Sequence, residues 1–205
     1  MIKLIIFDLD GVLVDAKEIH YNALNQALKN IDKKYVINRE HLSQYDGNPT
    51  RTKLKMLSQQ KGLPYELHDK VWKDKQSLTI QMINDLEKDD RLISVLERLE
   101  QDGYVLCCAT NSVRHSAIVQ LTRRGFIDHL EFVFTNQDVV NPKPNTEIYL
   151  RCMIKAGVSP KETIILEDSE IGRKGANETG AKVLEIEDSA DVTYRKIRKF
   201  IENVK

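Results

Sequence analysis

Lys3-Leu4-Ile5-Ile6-Phe7-Asp8-Leu9-Asp10-Gly11-Val12 opens the chain with an aliphatic run that halts at two acids and a glycine. Successive apolar residues without alternation predict a strand buried on both faces, as in a parallel sheet covered by helices on each side. Further runs of this kind follow late in the chain: Tyr104–Ala109 (YVLCCA), Phe132–Phe134 (FVF), Thr163–Leu166 (TIIL) and Lys182–Ile186 (KVLEI). Helical patterns lie between them. Val113–Arg124 stops at Gly125 and Thr146–Ala156 stops at Gly157, each glycine suited to a helix C-terminus. Ser159-Pro160-Lys161-Glu162 reads as a capping box with proline at the first helical position. Strands alternating with helices predict an α/β fold, a doubly wound parallel sheet.

The stretch from about Ala16 to Asp90 breaks this rhythm. It holds no strand pattern, while Glu18–Asn30, Thr50–Lys61 and Glu66–Leu86 each read as amphipathic helix. A helical block between the first and second strands is an insertion. We therefore expect a core made of residues 1–15 and 91–205 and a small helical domain over residues 16–90. The crossings, Asp15-Ala16-Lys17-Glu18 and Glu87-Lys88-Asp89-Asp90, are polar and read as hinges.

Composition narrows the function classes. Lys and Arg number 31, as do Asp and Glu, so the net charge is zero and the usual electrostatic basis for binding nucleic acid or an anionic membrane is missing. Apolar runs are too short to span a bilayer, and the acidic end of the first strand does not suit a signal peptide. Cys107, Cys108 and Cys152 have neither disulfide nor metal spacing; they read as small buried residues in a protein of the reducing cytoplasm.

Ligands of open α/β sheets sit at the carboxyl ends of the strands. Asp8 and Asp10 follow the first strand, Thr110-Asn111-Ser112 the second run, and Glu167-Asp168-Ser169 the run TIIL, while Lys143 lies between Pro142 and Pro144. Four carboxylates are thus expected on one sheet edge. At about 4 Å and an effective dielectric near 20, each pair would repel by about 4 kcal/mol. A few such pairs rival the roughly 5–15 kcal/mol that holds a domain folded. A proton could relieve this, and so could a cation. Lys143 supplies one charge, and an all-oxygen donor set suits Mg²⁺.

These residues, in this order, resemble the four motifs of the haloacid dehalogenase superfamily: Asp8-Leu9-Asp10-Gly11-Val12, Thr110-Asn111-Ser112, Lys143-Pro144, and Glu167-Asp168-Ser169 with Gly172. The helical block resembles the family's small cap. The resemblance implies that Asp8 is the nucleophile that forms an aspartyl-phosphate and that Asp10 is the general acid and base. It implies that Thr110 and Asn111 bind the phosphoryl oxygens and that Lys143 holds nucleophile and phosphoryl group together. Asp8, Asp10 (through its carbonyl) and Asp168 would ligate Mg²⁺, with Glu167 either a ligand or a group behind the ligands. Ser112 reads as a cap for the helix after it.

An acid at position 10 points to an oxygen leaving group, hence phosphoester chemistry. Phe7 to Val12 followed by Glu18-Ile19-His20 is similar to the β-phosphoglucomutase and phosphoglycolate phosphatase branch. In the mutases a histidine at the place of His20 holds the second acid off the nucleophile. They also carry a lysine–glycine pair in the cap loop, where this chain has Asp46-Gly47. That departure favours a phosphatase acting on a small sugar phosphate or phospho-acid. A phosphosugar mutase, a 5′-nucleotidase and a non-catalytic phosphate-binding module are the alternatives. A nucleotide would need an aromatic partner, for which Tyr45 and Trp72 are the cap candidates. Arg39 to Lys61 carries net charge +3, so Gly47, Arg51 and Lys53 are expected to meet an anionic substrate, with Lys55 and Lys61 on a solvated face. Gly172, Gly175 and Gly180 do not match a dinucleotide-binding pattern. The expected partner is a small phosphorylated metabolite, with neither nucleic acid nor membrane, and the expected state is a monomer or weak dimer.

Overall fold

The computed structural model describes residues 1–45 and 47–204. Among them, β1 (Leu4–Phe7), β2 (Val105–Ala109), β3 (Phe132–Phe134), β4 (Thr163–Glu167) and β5 (Lys182–Glu185) form one parallel sheet in the order β3-β2-β1-β4-β5. The α/β class expected from the aliphatic runs is the class found. The absence of alternation in β1 has a direct cause. Ile5 and Phe7 enter an apolar cluster with Leu96 and Leu99 of α4 (Asp90–Gln101) and Ile197 of α8 (Tyr194–Asn203). Leu4 and Ile6 enter the opposite one, with Ile148 and Cys152 of α6 (Glu147–Ala156) and Ala176 of α7 (Glu170–Glu178). Both faces of the strand are covered, so both must be apolar. All three cysteines are buried and free. No helix among the described residues is long and apolar enough to cross a membrane.

Between β1 and α4 lie α1 (Lys17–Lys29), α2 (Thr50–Lys61) and α3 (His68–Ile83), with α5 (Arg114–Arg124) following β2. The first three helices bury Leu24, Leu28, Leu54, Leu57 and Val71 in an apolar cluster of their own. Here α3 is shorter at both ends than the pattern predicts, because Tyr65–Leu67 winds as a 3-10 turn and Leu86 packs on the sheet's cluster instead. The capping box at Ser159 is present but opens a single 3-10 turn that runs straight into β4, so no α-helix follows it.

Both crossings are tied down on the side of the sheet. The Asp15 carboxylate accepts from the Ser189 amide (3.1 Å) and hydroxyl (2.6 Å). Asp89 caps α4 through the Leu92 amide (3.0 Å) and pairs with Arg124 (2.7 Å).

Candidate active site

Strand order does the first part of the assembly. β1 is central, with β2 and β4 as its hydrogen-bonded neighbours, and Phe7 lies level with Cys108 on one side and Leu166 on the other. The residues after these three strands therefore share one edge. Asp8 and Glu167 are buried there, and one carboxylate oxygen from each of Asp8, Glu167 and Asp168 lies within 4.8 Å of the others.

Lys143 stands among them. Its ammonium donates to Asp8 Oδ1 (2.6 Å) and Glu167 Oε1 (2.5 Å), and its side chain is 3% exposed. Burial works against the charge on Lys143, but Asp8 and Glu167 outweigh it and hold the pKa well above the usual lysine value. Burial and then the Glu167 charge push the Asp8 carboxyl well up, with Lys143 opposing them. Glu167 is occupied: Oε1 also accepts from the Tyr149 hydroxyl (2.6 Å) and Oε2 from the Ser169 hydroxyl (3.2 Å). It thus faces Lys143 and the protein rather than open space.

Two glycines make this density possible. A Cβ on Gly172 would lie 2.0 Å from Glu167 Oε2, so α7 approaches the acid only as glycine. At Gly11, where φ is +98°, a Cβ would lie 2.2 Å from Asp168 Oδ2. Replacing Gly172 with alanine is therefore expected to cost about 2–4 kcal/mol in urea-monitored stability, through overpacking beside a buried charge.

Asp10 has a separate set of partners. Oδ2 accepts from the Ser112 hydroxyl (2.6 Å), and Oδ1 bonds His20 Nε2 (3.0 Å). Burial alone would raise its pKa, yet His20 and the Ser112 hydrogen bond overcome this and hold the carboxyl well below the usual range. The expected capping role of Ser112 is not found: Val113 is the N-cap residue of α5 and no side chain caps it. The serine hydroxyl turns to the half-buried acid instead, because an ionised carboxylate is the stronger acceptor. The backbone amide of Ser112 donates to Thr110 Oγ1 (3.0 Å).

Behind His20 lies a residue that sequence reading missed. Lys75 of α3 reaches His20 Nδ1 (3.1 Å) and is 6% exposed. Burial, then Lys53, lower its pKa to about 8, with Asp10 pulling the other way. An unfolded lysine titrates near 10.4, so between about pH 8 and 10.4 the unfolded chain binds the extra proton and stability rises with pH. The gain from this group is expected to be about 3 kcal/mol. A Lys75→Met variant should lack it, as read from the difference in melting temperature between wild type and variant over that range.

The inserted helices close over the edge. Asn111 Nδ2 donates to the Gly47 carbonyl (2.9 Å) and the Lys143 carbonyl (3.2 Å), while Asn111 Oδ1 accepts from the Lys143 amide (3.0 Å). Gly47 sits against Ser169. A cavity of about 690 Å³ remains between the helices and the sheet edge, with Asp8, Asp10 and Thr110 on its floor and Lys53, Lys75 and Trp72 on its roof. Arg51 lines it too, but it pairs with Asp69 (3.0 Å) and lies over Trp72. Arg39 turns away to Glu18 (2.8 Å) and Tyr21. Tyr45 is built into the helical cluster with its hydroxyl on Gln60, which leaves Trp72 as the more open aromatic. The Asp46 departure lies outside the described residues.

Acids at the ends of the adjacent strands β1 and β4, a buried lysine bridging the two and helices over that sheet edge mark a hydrolase of the doubly wound class. The model described as haloacid dehalogenase-like hydrolase matches residues 5–186, and the chain belongs to that family. The chain is 25% identical over 181 residues to a phosphorylated carbohydrates phosphatase of Thermotoga maritima, a match covering 86% of this chain and 81% of that protein. Its fold is similar to a β-phosphoglucomutase of Clostridium difficile (TM-score 0.87, 20% identity, 99% of this chain and 98% of the other). It is also similar to a protein of Haemophilus somnus described as a predicted phosphoglycolate phosphatase (TM-score 0.81, 20% identity, 98% of each chain).

Proposed function

We propose that the protein is a Mg²⁺-dependent phosphatase of small phosphorylated metabolites, with residues 16–90 as its lid. The single observation that carries this reading is the junction of Asp8, Glu167 and Asp168 within 4.8 Å, with a buried lysine bridging the first two. The donor set fits a hard divalent ion. It is all oxygen, it is largely buried, and it holds Asp8 in a field that disfavours its charged form until more positive charge arrives. Asp8, Asp168 and the Asp10 carbonyl would hold the ion, with Glu167 behind them as the anchor of Lys143. When bound, Mg²⁺ neutralises phosphoryl oxygens and lowers the cost of bringing a dianion to a carboxylate.

The chain's own residues do the rest. Asp8 attacks phosphorus and becomes an aspartyl-phosphate. Asp10 is ionised in the free protein, so it takes up a proton as substrate binds, gives it to the leaving alkoxide and recovers one from the water that cleaves the acyl phosphate. Ser112 and His20 hold that carboxyl in place. Thr110 and the Asn111 amide bind phosphoryl oxygens. Lys143 keeps nucleophile and phosphoryl group together against their repulsion. Lys53, with Gly47 and Arg51 at the rim, meets the rest of the substrate. The cavity is of the size that takes a small metabolite.

The test is a screen of phosphorylated metabolites with phosphate release as readout, including glucose 1-phosphates, phosphoglycolate and nucleoside monophosphates. Hydrolysis is expected to stop in EDTA and return with added Mg²⁺; full turnover in chelator would remove the metal from the proposal. A phosphosugar mutase is the second reading, favoured by the His20–Asp10 bond. A sugar bisphosphate that primes catalytic isomer exchange, rather than being slowly hydrolysed, would select it.

A further inference from the structure

Asp168 is already in contact with a cation. Lys17, the first residue of α1, places its ammonium 2.5 Å from Asp168 Oδ2. The two ends of this pair differ in character. The Asp168 side chain is 1% exposed, whereas the Lys17 side chain is 39% exposed and comes in from the lid side. Its path runs across Gly11, where a Cβ would lie 2.8 Å from Lys17 Cε and 2.2 Å from Asp168 Oδ2. The gap left by that glycine admits the lysine stem. Asp8 and Glu167 share the Lys143 ammonium, so Lys143 and Lys17 divide the three clustered acids between them.

We infer that Lys17 is a resident counter-ion which competes with the divalent ion for Asp168 and so sets the protein's metal affinity. The inference rests on the metal reading above and extends it to a residue outside the four motifs. An ion shared by Asp8 and Asp168 draws on the carboxylate that Lys17 covers. Two cations on one buried carboxylate repel each other, and the two differ in their freedom to leave. Lys143 is enclosed on all sides. Lys17 has a flexible four-carbon stem, a strongly hydrated head and solvent beside it. Metal uptake is then an exchange, with Mg²⁺ entering as the Lys17 ammonium swings out to water. In the metal-free protein Lys17 relieves the repulsion that three acids would otherwise exert.

The experiment is calorimetric titration of the full-length, chelator-stripped protein with MgCl₂. It compares wild type with Lys17→Met and Lys17→Gln, each checked for folding by circular dichroism. Both variants are expected to bind Mg²⁺ about tenfold more tightly, because the competitor is gone. Unchanged or weaker affinity in the folded variants would overturn the proposal. A second measurement needs no variant. Brief acylation of wild-type amines, mapped by mass spectrometry, should label Lys17 slowly in chelator and several-fold faster in saturating Mg²⁺. Equal labelling in both would also overturn it. Wild type that takes up no Mg²⁺ would overturn the metal reading and this proposal together. Mg²⁺ uptake of identical strength in all three proteins would overturn the Lys17 assignment alone.

Discussion

Asp8→Asn is expected to abolish turnover, by about 10⁴-fold or more, while the protein stays folded. The carboxamide has nearly the shape of the carboxylate but cannot act as the nucleophile that takes the phosphoryl group. Its effect on stability should be small or favourable. Asp8 is buried beside Glu167 and Asp168, and a neutral side chain there relieves repulsion; Lys143 keeps its second partner, Glu167. The check is phosphate release by the purified variant on the best substrate of the screen, with melting temperature as the control. Activity within tenfold of wild type would withdraw the nucleophile assignment.

Lys143→Met is expected to damage fold and activity together. Removing one member of a buried ion set leaves uncompensated charge, at a cost of about 3–5 kcal/mol. Here the stranded groups are Asp8 and Glu167, the latter 0% exposed. The sign with pH follows from Asp8. Burial and Glu167 raise its folded pKa, and the variant lacks the Lys143 charge that opposed them. A carboxyl with a raised folded pKa loses stability as pH rises through its unfolded value. The deficit should therefore be larger at pH 7 than at pH 4.5 and shrink as pH falls towards 4. Urea unfolding of wild type and variant at pH 7 and pH 4.5 measures this. A variant within about 1 kcal/mol of wild type at pH 7 would mean that Lys143 is not the neutralising charge.

Much of this could be read along the chain because it is local. A strand buried on both faces writes itself as an unbroken apolar run, and the acids at its end write themselves as the point where that run stops. Phe132–Phe134 and Thr50–Lys61 coincide with observed elements for the same reason: pleat and helix periods are properties of neighbouring residues. Gly172 was legible only as a member of a motif. Its physical cause, the approach of Glu167 to 2.0 Å of where a Cβ would stand, is a tertiary fact.

By itself, then, the sequence determined the α/β class, the identity of the acids at the strand ends, and the need for positive charge among them. The tertiary structure alone decided which charges answer that need and where. Lys75 lies 55 positions from His20, and Ser112 lies 102 from Asp10. Lys17 looks, in its helix, like any solvent-facing lysine, and Tyr149 like any apolar helix residue until its hydroxyl meets Glu167. Periodicity reports which side of an element is apolar, but it carries no information about the angle at which the helical block settles on the sheet. That angle, set by packing over the whole interface, decides which side chains reach the acids.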